Sequence, residues 1–275
     1  MPSSAKPQRA PDGRLMPRLG KCKLCLEGKE LQESHLLPAA LYKMMRSPGA
    51  TNPHPIVVTR KVSVQSSKQV KAYLLCGDCE QRFNRNGEQW IIRQVYNGTS
   101  FPLLDRLNVA LPIHSTRSLA AFSGLAVGID TGKLSYFVLS VLWRASAHKW
   151  VLPYGARNLW IDLGIYKEPI RKFLLEGGPF PSDVVVVVTV CTDIPSQQSI
   201  FTPAIVPDNQ YRPYALLTRG IYFRVFTGNM LPPDIRTLCC FASSRKLLFL
   251  TTCEDKSLHA FGNLLSTGKL SHSLK

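Results

Sequence analysis

Two Cys-x-x-Cys pairs constrain this chain more than any other feature: Cys22 and Cys25 in "CKLC", Cys76 and Cys79 in "CGDC". Each spacing predicts a tight turn that points both sulfurs to one side, and four thiolates suffice for a tetrahedral zinc site. The pairs are separated by roughly fifty residues, against the ~15–20 of a compact zinc ribbon. The chain between them must therefore fold back to bring its ends together. The second pair opens a predicted helix, whose N-terminal dipole stabilises anionic sulfur. Two other readings compete, four unrelated buried cysteines or a redox pair. Matched spacing argues against the first, and the lack of a thioredoxin-like βαβ context against the second. Cys191, Cys239, Cys240 and Cys253 stand in apolar, strand-like surroundings and read as small core residues.

The intervening residues divide into short elements. "KELQESH" reads as a strand. "PAALYKMMRS" has helical propensity, with Leu41, Met44 and Met45 on one face and Pro38 at its start. "IVVTRKVSVQ" and "KQVKAYLLC" alternate apolar and polar residues and predict a hairpin turning at "SSK". After the second pair, "DCEQRFNRNGEQWIIRQVYNG" predicts a helix starting near Asp78, with Phe83, Trp90, Ile91 and Val95 as its buried stripe. Gly87 should weaken or bend it. We expect a basic flexible arm over 1–20, a small zinc-bound treble-clef module over 21–98, and a larger domain over 99–275.

The larger region carries "GKLSYFVLSVLWRASA", a helix apolar on most sides and so mostly buried. "LWIDLGIYKEPIRKFLLEGG" is a second helical stretch, its pattern broken at Pro169 and ended by Gly177 and Gly178. "DVVVVVTVCTD" predicts a buried strand, and "YALLTRGIYFRVFTGN" and "RTLCCFASSRKLLFLTTCED" are strand-rich. Helices followed by strands predict an α+β fold over a mostly antiparallel sheet.

Composition narrows the function classes. A net charge of +16 in a chain that is 45% hydrophobic favours a folded protein with polyanionic partners, nucleic acid above all. The first twenty residues lack an apolar signal core, and no apolar run approaches the roughly 18 residues of a membrane span. The expectation is a cytoplasmic protein with no membrane partner.

His35 lies at the end of the strand after the first cysteine pair, followed by "LLP". The order "CKLC", "ESHLLP", "YLLCGDCEQRF" resembles the HNH endonuclease superfamily in its zinc-stapled, ββα-metal form, over residues 22 to 95. It is also similar to a group of uncharacterised bacterial proteins with "SHIIP"-type and "LLCxxCE" segments and a later "WR" helix, matched here by Trp143 and Arg144. The resemblance implies a metal-dependent nuclease, with a role in defence against foreign DNA as one use. It makes His35 the general base, Mg²⁺ or Mn²⁺ a second metal beside the structural Zn²⁺, and DNA the partner.

The ligands of that second metal would come from the helix after Cys79. Glu80, Asn84 and Glu88 are spaced i, i+4 and i+8 and share one helix face. Of these, Glu80 and Asn84 are the candidate site residues, and Glu88 reads as part of a solvated face. Ser34 precedes His35, where many members of the family carry an acid, and Glu33 stands one position further back. Arg60, Lys61, Lys71, Arg82 and Arg85 form a basic set suited to phosphate contacts. The alternative function is a zinc-finger protein that binds nucleic acid or another protein without catalysis.

Overall fold

The first cysteine pair occupies the turn between β1 (Leu19–Lys21) and β2 (Gly28–His35), which pair antiparallel. Leu26 closes that turn with a positive φ of 66°, while Cys22 bonds Glu27 through its amide and Leu26 through its carbonyl. Leu36 and Leu37 are fully buried and anchor the chain after His35. Then follow α1 (Ala39–Met44), β3 (Ile56–Val58), β4 (Ser63–Gln65) and β5 (Lys71–Cys76). The computed structural model describes residues 18–46, 51, 54–58, 63–153, 158–206 and 212–251.

The strand pairing differs from the expected hairpin. β3 pairs with β4 inside the first predicted strand, whereas β5 crosses to β2 and completes a three-stranded sheet in the order β1-β2-β5. Local alternation cannot distinguish these pairings, because both satisfy period 2. The long-range one buries Leu74, Leu75 and Cys76 and brings the second cysteine pair beside the first. A register shift lies where Gln32 meets Leu75 and Glu33 meets Tyr73. The Leu75 amide there donates to the buried Ser34 hydroxyl at 3.1 Å.

Cys76 caps α2 (Gly77–Phe83), which runs through a π-helical segment, Asn84–Glu88, into α3 (Gln89–Ile92). The Gln89 amide bonds the Asn84 carbonyl, the wider turn of a π-bulge. Gly87 sits in this bulge for a packing reason. A Cβ there would lie 3.0 Å from the backbone of Phe137 on the helix α5 (Thr131–Ala147). Three smaller elements precede α5: α4 (Pro102–Asn108), and the strands β6 (His114–Ser115) and β7 (Leu119–Ser123).

α5 explains its own all-round apolar sequence. One side meets α2, where Phe83 contacts Tyr136 and Trp143 edge to face, each at 6.1 Å between ring centroids. The other meets a seven-stranded sheet, where Phe137 packs on Phe223 at 5.8 Å. Each large apolar side chain buried here contributes about 1.5–3 kcal/mol. The remaining elements are α6 (Lys167–Glu176), β8 (Val184–Cys191), α7 (Ile194–Gln197), β9 (Ile200–Ile205), β10 (Tyr214–Thr218), β11 (Ile221–Thr227), α8 (Pro233–Thr237) and β12 (Leu247–Thr251). The large sheet runs β6-β7-β12-β8-β11-β10-β9, antiparallel except for β12 beside β8.

The fold is α+β with a mostly antiparallel sheet. The valine strand β8 is buried on both faces. Val184, Val186, Val188 and Val190 join the core that contains α5, while Val185 and Val187 pack with Phe226, Leu231 and Cys239. That first core also contains Cys22, Leu74, Phe83 and Ile91, so one continuous set of buried side chains runs from the cysteine segment to the sheet.

Pro169 falls in the first turn of α6, where it is tolerated, and Gly177 ends that helix with a left-handed φ of 66°. Cys239 and Cys240 lie in turns after α8 rather than in a strand, though both are buried. Cys191 is buried in β8, and Cys253 lies outside the described residues, as does the arm up to residue 17. Among the described residues no helix is long and apolar enough to cross a membrane.

Candidate functional site

The four predicted cysteines converge. A ligand atom from each of Cys22, Cys25, Cys76 and Cys79 lies within 4.8 Å of the others, and Cys25 Sγ stands 3.9 Å from Cys76 Sγ. A tetrahedral centre with bonds of ~2.3 Å needs sulfurs about 3.8 Å apart, so the cluster could hold a metal ion. The Cys76 amide donates to Cys22 Sγ at 3.3 Å, a bond that favours thiolate. The Cys79 thiol hydrogen-bonds the Cys22 sulfur and holds the Cys22 thiol down to about 4, while its own is raised in return. Arg171 on α6 donates to the Leu24 carbonyl inside the first Cys-x-x-Cys, tying this turn to the larger part of the fold.

A second feature lies alongside. His35, Glu80, Asn84, Glu88, Arg93 and Arg144 line one open cleft of about 530 Å³, walled by the end of β2, the start of α1 and the α2–α3 helix. His35 is half-buried. Burial lowers its imidazole below the ordinary value, the Lys71 ammonium adds to this, and a hydrogen bond with the Gln69 side chain opposes it. The ring is therefore neutral at pH 7 and can accept a proton. Asn84 is exposed to the cleft.

Glu80 is mostly buried. Its Oε1 has no hydrogen-bond partner, and its carboxyl is pushed up by burial, against the pull of Arg144 and a hydrogen bond to Ser34. Ser34 thus joins strand to helix by accepting from Leu75 and bonding Glu80.

Arg144 organises the cleft from below. It is 1% exposed, and it sends Nη1 to the His35 carbonyl at 2.9 Å and Nη2 to Glu88 Oε1 at 2.5 Å. Its guanidinium also lies 5.2 Å from the Phe83 ring centroid. Glu88 is thus an ion-paired carboxylate, 13% exposed, and not part of a solvated face. The π-bulge and the close approach at Gly87 carry Glu88 toward α5. Nothing in the local pattern marks Arg144 as a partner of residues 56 and 109 positions away; its signals were the Trp143–Arg144 pair and a charge deep in a mostly apolar helix.

The basic set is dispersed. Lys71 lies opposite His35 in the β2–β5 register and pairs with Glu33 at 3.0 Å on the surface. Arg85 is exposed, while Arg82 is half-buried with its Nε unpartnered. Arg60 and Lys61 lie outside the described residues. The chain matches no protein-family model, and no curated protein or solved structure matches it.

Proposed function

We propose that this chain is an HNH-like, metal-dependent endonuclease acting on DNA, built on a treble-clef module stapled by structural zinc. The observation that carries the reading is the meeting of a neutral, half-buried His35 with Glu80 and Asn84 in one cleft beside the four-cysteine cluster. Four cysteines in two turns, one closing a hairpin and one opening a helix, have the donor softness and number that zinc takes.

In this reading the His35 imidazole takes a proton from a water molecule. The water oxygen attacks the phosphorus, and the bond to the leaving oxygen breaks. The Arg144 bond to the His35 carbonyl and the Gln69 bond to its ring hold the base in place. Glu80 and Asn84 supply hard oxygen donors suited to Mg²⁺ or Mn²⁺, and the buried, unpartnered Glu80 Oε1 fits such an ion. A divalent ion so held would stabilise charge on the phosphate and the leaving oxygen. The overall charge of +16 favours the polyanionic substrate.

The test is incubation of purified protein with supercoiled plasmid and Mg²⁺ or Mn²⁺. Nicking that His35→Ala abolishes, with zinc content unchanged, supports the reading. Equal cleavage by the variant refutes it. Salt-dependent DNA binding without cleavage in any metal would instead favour a non-catalytic nucleic-acid-binding protein, and no binding at low salt a protein-interaction module.

A further inference from the structure

A second, smaller concavity lies on the other side of α1. It has a volume of about 120 Å³, and Tyr42, Lys43, Arg46, Ser66, Lys68 and Gln69 are among the residues that line it. Three of these are cationic, and no carboxylate occurs among the described residues that line it. This contrasts with the cleft, whose cations Arg144 and Arg93 share the wall with Glu80 and Glu88.

Gln69 connects the two. It lines the small pocket, and its side chain hydrogen-bonds the His35 ring that lines the cleft. α1 spans the same gap, with Ala39 and Ala40 on the cleft and Tyr42 and Lys43 on the pocket, and Arg46 just past its end also lines the pocket. The Tyr42 hydroxyl bonds the Val70 backbone, just before β5, the strand that pairs with β2. A hollow lined by Lys43, Arg46 and Lys68 is complementary to a tetrahedral oxyanion, because several donors converge on one charge.

We propose that this pocket seats a backbone phosphate of the nucleic-acid strand whose neighbouring diester lies in the His35 cleft. The inference rests on the nuclease reading for the cleft. It extends that reading by giving the DNA strand a second phosphate contact, across α1 from the cleft.

Binding of a fluorescein-labelled DNA duplex by the full chain, followed by anisotropy over a series of KCl concentrations without divalent metal, tests it. Each phosphate contact contributes about 0.9 to the slope of log K against log salt. Lys43→Gln/Lys68→Gln, two surface changes, should reduce that slope by about 0.9, the contribution of the one seated phosphate. Arg46→Gln alone should reduce it by no more than the same ~0.9. Arg117→Gln/Lys172→Gln, which removes two exposed charges elsewhere, should leave it unchanged.

An unchanged slope in the pocket variants, or an equal fall in both double variants, overturns the proposal. The two readings fail separately. If plasmid is never nicked but the pocket variants alone lose slope, catalysis is wrong and the phosphate seat stands. If plasmid is nicked in a His35-dependent way and the slopes are equal, the reverse holds.

Discussion

Replacing Arg144 by methionine should cost this protein about 3–5 kcal/mol, the range for breaking a buried ion pair by removing one partner. The size follows from what is left behind. Glu88 is 13% exposed, so its carboxylate would remain largely out of water without a counter-charge. The His35 carbonyl would lose its donor as well. Methionine fills much of the vacated volume, which limits any cavity penalty beside Phe83. For a fold of this size, ~2–4 °C per kcal/mol puts the fall in Tm at roughly 6–20 °C.

The same reasoning predicts that Arg144→Met/Glu88→Leu is more stable than Arg144→Met alone, because removing both charges removes the desolvation cost. Thermal and urea unfolding followed by circular dichroism would measure both, with zinc content as a control. An Arg144→Met variant within about 1 kcal/mol of the parent would refute the argument. So would a double variant no better than the single.

Gly87→Ala pits two effects against each other. The helical gain is about 0.8–1.0 kcal/mol, while a Cβ 3.0 Å from the Phe137 backbone implies an overpacking cost of about 1–3 kcal/mol. We expect net destabilisation of up to about 2 kcal/mol by urea midpoint, and a stabilised variant would contradict the close approach. One equivalent of zinc should be released from the four cysteines by mercurial reagents, with loss of the β1-β2-β5 sheet signal; release that leaves amide protection there unchanged would deny the staple its structural role. His35 must be neutral to accept a proton, so cleavage should rise with pH through a value below 6.5 and level off above it. The folded imidazole also binds its proton less tightly than the unfolded one, so this residue lowers stability as pH falls through and below 6.5. A rate still climbing above pH 7 would point to a different base.

Several features were legible because they are local. The Cys-x-x-Cys spacing marked the four sulfurs, the all-apolar run marked α5, and the valine run marked β8. The i, i+4, i+8 spacing put Glu80, Asn84 and Glu88 on one face, and all three line the cleft with His35. The hairpin partner was not legible, because alternation fixes which side of a strand is buried but not which strand lies beside it. Glu88 looked solvated for a similar reason: its partner arrives from a helix 56 residues later.

By itself, then, the amino-acid sequence determined which side chains are available for a site and which faces must be buried, since side-chain type and short-range periodicity are properties of neighbours along the chain. The tertiary structure alone decided which of them meet. Crossing β5 to β2 closes the four-cysteine cluster, and seating α5 against Gly87 delivers Arg144 to His35 and Glu88. Those contacts arise from packing one continuous core, and no local stretch of sequence encodes them.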